Sequence, residues 1–99
     1  MKKNYDTLRN YLSIYFDNQL DEFGDTYPQI VETSVKLDAP TCLLIHDLDD
    51  LLLNYPDNRT LTQKLDQLMG CSEYAKRFPP TPLVFFTWLS AYLKELAQQ

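Results

Sequence analysis

Ninety-nine residues, 44% hydrophobic and 13% aromatic, suffice for one domain with its own core and exclude a disordered acidic tail. The net charge of −5 is unevenly spread: residues 10–58 carry ten carboxylates against Lys36 alone, a net of −9, while residues 1–9 and 59–99 are each +2. Such a field repels phosphate backbones, which argues against nucleic-acid binding, and attracts basic proteins. A solvated face that keeps a small protein soluble accounts for the same asymmetry.

Taken in order, Asn4 to about Leu20 is expected to form the first helix, with Asn4 as its N-cap. Tyr5, Leu8, Tyr11, Leu12, Tyr15, Phe16 and Leu20 recur at spacings of three and four. Gly24 is expected to stop it. A second helix is predicted to start near Asp25 or Thr26, with Pro28 in its first turn and Ile30, Val31, Ser34, Val35 and Leu37 as its apolar stripe. The β-branched residues of this stretch would also suit a strand, but the apolar period is nearer 3.6 than 2.

The central element is predicted from Asp38 to Pro56, with Asp38 as N-cap and Pro40 in the first turn. Leu44, Ile45, Leu48, Leu51, Leu52 and Tyr55 form one wide apolar face, and Leu43 and Leu53 flank it, which predicts cover on more than one side. A fourth helix is expected over Thr60 to Met69, capped by Asn58 or Thr60 and stopped by Gly70. After an irregular stretch from Cys71 to Pro80, Thr81 and Pro82 open the last helix as N-cap and N1. Its buried face is Leu83, Phe86, Leu89, Tyr92 or Leu93, and Leu96, widened by Val84, Phe85 and Trp88. The predicted fold is therefore all-α, a compact single-domain bundle of about five helices over residues 1–99.

The run His46-Asp47-Leu48-Asp49-Asp50 has the most chemical character. Asp47 and Asp50 lie three apart, a spacing that puts two carboxylates on one helical face. The calcium-loop pattern is absent, because Leu52 stands where its glycine belongs and Asn58 where its last acid belongs. One histidine and two distant cysteines, Cys42 and Cys71, do not make a zinc or disulfide pattern. The expectation is no metal, no cofactor and no catalysis, with His46 structural and both thiols reduced. The first residues lack a signal-peptide core and no apolar run reaches membrane length, so the expected compartment is the cytoplasm.

Asp17, Asp21, Glu22 and Asp25 form a second acidic cluster. Carboxylates at a helix C-terminus face the negative end of its dipole, so this placement does not serve stability; a solvated face and a site for a basic partner are both open readings. Tyr27 and Tyr74, at cap or loop positions, are the tyrosines best placed for partner contact.

Three stretches together resemble a known family. They are Leu8-xx-Tyr11-Leu12-xx-Tyr15-Phe16 leading through Gln19-Leu20-Asp21-Glu22 to Ile30-Val31, then Leu44 to Leu52 with the Tyr55-Pro56 break, Leu61-xxx-Leu65 and Gly70, and finally Thr81 to Trp88-Leu89 with Leu93. The layout, over roughly residues 5–96, resembles the small helical immunity proteins of bacterial contact-dependent growth inhibition. That resemblance implies a cytosolic protein that binds one-to-one the C-terminal toxin domain of a cognate CdiA-type effector, frequently a basic nuclease. The expected toxin-facing residues are Asp21, Glu22, Asp25, Tyr27, Asp47 and Asp50. A regulatory adaptor or antitoxin-like binding module is the alternative of a different class.

Overall fold

A computed structural model describes residues 5–16, 26–70, 74–75, 78 and 80–98. Among them are five helices and no strand: α1 (Asp6–Tyr15), α2 (Tyr27–Lys36), α3 (Thr41–Asn54), α4 (Asn58–Met69) and α5 (Pro82–Ala97). The α3 helix is central. It packs most extensively on α5 and next on α1, while α4 and α2 close against α5. The radius of gyration is 12.6 Å, close to the roughly 13 Å of a globular chain of this length.

Local chemistry explains several boundaries. Thr26 caps α2, its hydroxyl accepting from the Gln29 N–H at 3.4 Å, and Pro28 lies in the first turn. Thr81 does the same for α5, accepting from Val84 N–H at 3.3 Å with Pro82 following. Gly70 ends α4 at φ 66°, a left-handed conformation that costs glycine nothing.

Three boundaries differ from the sequence expectation. The first helix begins at Asp6 with Tyr5 in a left-handed conformation and closes at Phe16, whose N–H bonds to the Leu12 carbonyl. The expected cap at Asn4, the end at Leu20 and the Gly24 stop lie outside the described residues. The α4 helix starts two residues early, because Asp57 accepts from Thr60 N–H at 2.8 Å and is the N-cap. Asn58 instead accepts from Leu83 N–H at 2.9 Å, so it caps the start of α5. Asp38 is not the cap of α3. It stands in a left-handed conformation at φ 63°, with its own N–H bonded to the Val35 carbonyl and that of Ala39 to the Ser34 carbonyl. Those two bonds make a Schellman ending for α2, so Asp38 serves the helix before it.

The core runs the length of the bundle: Leu8, Leu12, Ile30, Val31, Leu44, Leu48, Leu51, Leu61, Leu65, Leu89 and Leu93 are buried. Leu43 and Leu53 are exposed, the latter at 78%, so α3 is covered on the sides facing α1 and α5 and open on the third. Leu37, expected on the stripe of α2, lies past its end and is also exposed. Tyr74 and Phe78, between α4 and α5, are buried; Tyr74 is 1% exposed and is a core residue rather than a surface contact. Asp66 fixes this crossing by accepting from Ala75 N–H at 2.9 Å.

Candidate partner-binding surface

The acidic run on α3 is mostly engaged within the fold. Asp47 is only 7% exposed and its Oδ2 accepts from Leu8 N–H at 3.2 Å. Leu8 is in the first turn of α1, where N–H groups have no intrahelical acceptor and where Tyr5 supplies no side-chain cap. A carboxylate from another helix takes over that role. The expectation that Asp47 lies on an exposed acidic face is corrected accordingly: its helix face is turned onto α1.

Asp50 is half-buried beside it, with Oδ2 accepting from the Tyr5 hydroxyl at 2.8 Å and from Asn54 Nδ2 at 3.2 Å. Burial, and then the bond to Asp50, push the Tyr5 phenol up to about 12. Asp49 points the other way, toward α5. It accepts from Ser90 Oγ at 2.6 Å and pairs with Lys94 Nζ at 2.9 Å. Burial would raise its carboxyl, but the Ser90 bond and the Lys94 cation prevail and hold it below the usual range. His46 is exposed between them. Among the described residues, no three His, Cys, Asp or Glu side chains converge on a position that could hold a metal ion.

Two further polar bridges join the helices. Tyr11 Oη and Ser34 Oγ are 2.8 Å apart and buried, and Ser34 donates onward to the Val31 carbonyl at 2.6 Å. Burial pushes the Tyr11 phenol up to about 12. Tyr92 Oη donates to Glu32 Oε2 at 2.5 Å, tying α5 to α2, and this bond, followed by burial, raises the Tyr92 phenol.

Of the ten carboxylates in residues 10–58, Asp17, Asp21, Glu22 and Asp25 lie outside the described residues. Glu32, Asp47, Asp49, Asp50 and Asp57 each accept a hydrogen bond from within the chain. Most of these donors are uncharged. Asp50, for example, is held by Tyr5 and Asn54, so its negative charge still contributes to the field outside.

A different feature stands out at the surface. Tyr27, Pro28, Pro80, Val84, Phe85 and Trp88 line an open cleft of about 300 Å³, almost wholly apolar. Phe85 is its floor: buried, it meets Tyr27 (5.0 Å between ring centroids), Trp88 (5.5 Å) and, beneath, Phe16, Phe78 and Phe86. Trp88 then stacks on Tyr92 at 5.3 Å and an interplanar angle of 19°. Tyr27, expected at a partner contact, is half-buried on the cleft wall. Sequence periodicity assigned Val84 and Trp88 to the buried face, yet Val84 is 51% exposed and Trp88 is half-buried. The available signal was spacing: Val84 and Trp88 are one turn apart on α5, at the edge of an apolar stripe too wide for one neighbour to cover.

The described residues thus show polar interhelical ties, no cluster of three potential metal ligands, and an exposed aromatic cleft whose Tyr27 closely follows the 17–25 acidic segment in sequence. Among the described residues, no helix is long and apolar enough to cross a membrane. No curated protein and no solved structure matches the chain. The model of one family, described as CdiI immunity protein, matches residues 4–93, which takes in α1 to α4 and most of α5. A match over nearly the whole bundle leaves a plain conclusion: the chain belongs to the CdiI immunity protein family.

Proposed function

We propose that this protein binds one-to-one the toxin domain of a cognate contact-dependent growth inhibition effector in the cytosol and neutralises it without catalysis. The observation that carries this is the family match over residues 4–93. The toxin is a basic nuclease. The −9 charge of residues 10–58 would draw such a domain in and oppose the approach of its nucleic-acid substrate.

The toxin-facing surface, on this proposal, centres on Asp21, Glu22, Asp25 and Tyr27, with the half-exposed Asp50 adding to the field. Asp47 is left out because its carboxylate is buried against α1. The supporting consideration is economy of charge: the described acids mostly hold helices together, whereas the sequence after α1 adds four carboxylates within residues 17–25 and no base.

Growth of cells expressing the toxin domain encoded beside this chain provides the test. Co-expression of the wild-type protein is expected to restore growth, and the two proteins are expected to co-purify as a heterodimer whose yield falls as salt is raised. Continued killing, with no complex at any salt concentration, would rule the function out. Recovery of an unrelated regulatory protein in its place would favour the adaptor alternative.

A further inference from the structure

The aromatic cleft combines three properties that together define an occupant. Its described lining is rings, prolines and Val84, with no basic side chain among those residues. The indole of Trp88 lies half-exposed in its wall and continues through the stacked Tyr92 to Glu32. Glu32 does not itself line the cleft: it is one helical turn beyond Pro28 on α2 and meets the aromatic track at its far end, through the Tyr92 hydroxyl. Tyr92 occupies one oxygen, Oε2; Oε1 has no hydrogen-bond partner among the described residues.

An open hollow of about 300 Å³ is at the lower end of small-molecule sites and takes one anchoring side chain. Apolar walls cover a hydrocarbon stem, ring faces attract a cation, and a carboxylate at the end of the track pairs with it. An anionic group would meet Glu32 and a chain of net charge −5. A purely aliphatic anchor would leave the carboxylate unused. The planar guanidinium fits best, since it can stack on an indole and offer paired N–H donors to a carboxylate.

We propose that this cleft is the anchor site for a long basic side chain, arginine by preference, of the bound toxin domain, with Trp88 as the stacking surface and Glu32 as the counter-charge. The inference rests on the immunity function proposed above and adds to it the place and chemistry of the principal contact.

Trp88 is the chain's sole tryptophan, which makes the site directly observable. The full-length protein, labelled with 5-fluorotryptophan, is titrated with the toxin domain encoded beside it, and affinities are measured by calorimetry for wild type and four variants whose melting curves are checked first. Val84→Lys places a cation on the cleft rim and is expected to weaken binding by about 30-fold or more, the scale of a lost hot spot. Val84→Glu, also a longer polar side chain but opposite in charge, is expected to keep wild-type affinity or better it. Glu32→Gln is expected to cost about 5- to 10-fold, in the range of a partly exposed charge pair. Leu53→Lys changes the total charge as Val84→Lys does but on the exposed face of α3, and is expected to have no effect. The Trp88 fluorine resonance is expected to shift on binding.

Equal losses for Val84→Lys and Val84→Glu would overturn a cationic occupant. Wild-type affinity for Val84→Lys with an unmoved Trp88 resonance would overturn the anchor site while leaving the immunity function standing. Absence of any binding by the wild-type protein would overturn both.

Discussion

Asp38 shows how a single side chain can carry a signal for one role and perform another. An aspartate two residues before a proline reads as a helix start, but its φ of 63° and the bonds around it end α2. An L-residue in this region is strained, and glycine is not. Asp38→Gly is therefore expected to stabilise the protein by about 0.5–1 kcal/mol, and Asp38→Val to destabilise it by at least as much, in denaturant unfolding. Destabilisation by the glycine variant would show that the aspartate carboxylate contributes more than the backbone costs. Gly70, at φ 66° with open space around its Cβ position, is the complementary case. Gly70→Ala is expected to cost about 1 kcal/mol through backbone strain alone.

Tyr5 and Tyr11 set the alkaline limit at the same scale. Both phenols are pushed up to about 12 from an ordinary value of 10. A group whose folded pKa is raised favours the native state fully below its unfolded pKa, and that contribution is lost as pH rises through the folded one. Stability is thus expected to hold up to about pH 10 and to fall between about pH 10 and 12. Tyr5→Phe should flatten part of that decline, which pH-dependent urea midpoints would measure. An unchanged slope would remove Tyr5 from the linkage. Asp49 and Asp57 act on the other side: both carboxyls are held low, so their contribution is present above the ordinary carboxylate pKa and lost as pH drops through their folded values.

At the scale of elements, α3 is the helix to which the others are tied. Leu44, Leu48 and Leu51 form its apolar face, and its acids reach outward on either side of that face. Asp47 and Asp50 hold α1, while Asp49 holds α5. The Asp47 bond matters most, because it is buried and satisfies an N–H in a helix start that lacks its own cap. Asp47→Ala is expected to cost about 1.5–3 kcal/mol, the range for removing a charged partner from a buried donor. Amide exchange should quicken in the first turn of α1 before it does in α3 or α5. Exchange that rises evenly across all helices would deny the local role. The Asp49–Lys94 pair, with both side chains about half exposed, is of a different order: Lys94→Ala is expected to change stability by less than about 0.5 kcal/mol.

At the scale of the whole molecule, charge and cleft have, on the two proposals, different shares in association. A long-range negative field governs how fast a basic partner arrives, and short-range contacts govern how long it stays. Charge reversal in the acidic segment, Asp21→Lys with Asp25→Lys, is accordingly expected to slow association about tenfold at low salt, a difference that fades as ionic strength rises. Unfolding curves should not change. Equal on-rates at low salt, followed by stopped-flow mixing with the toxin domain, would place the steering charges elsewhere.

Much of this architecture was legible in the residues alone, and the reason is range. The five helices, the caps at Thr26 and Thr81 and the stop at Gly70 all depend on bonds within one turn, so the deciding partners are neighbours in the chain. Helical periodicity likewise marked Leu44, Leu48 and Leu51 for burial. The acids of α3 were different. Their partners stand 39, 41 and 45 residues away, at Leu8, Ser90 and Tyr5, and no spacing rule connects them. The same holds for Asn58, whose side chain serves a helix that starts 24 residues later, and for Tyr74, buried where the chain crosses from α4 to α5. Periodicity also cannot tell a buried ring from a half-covered one: Val84 and Trp88 share the apolar side of α5, and only the packing of α2 beside it leaves them open with Tyr27. Local bonding made the helices readable in the sequence; which side chains tie them together, and which remain exposed, was decided by how the helices pack.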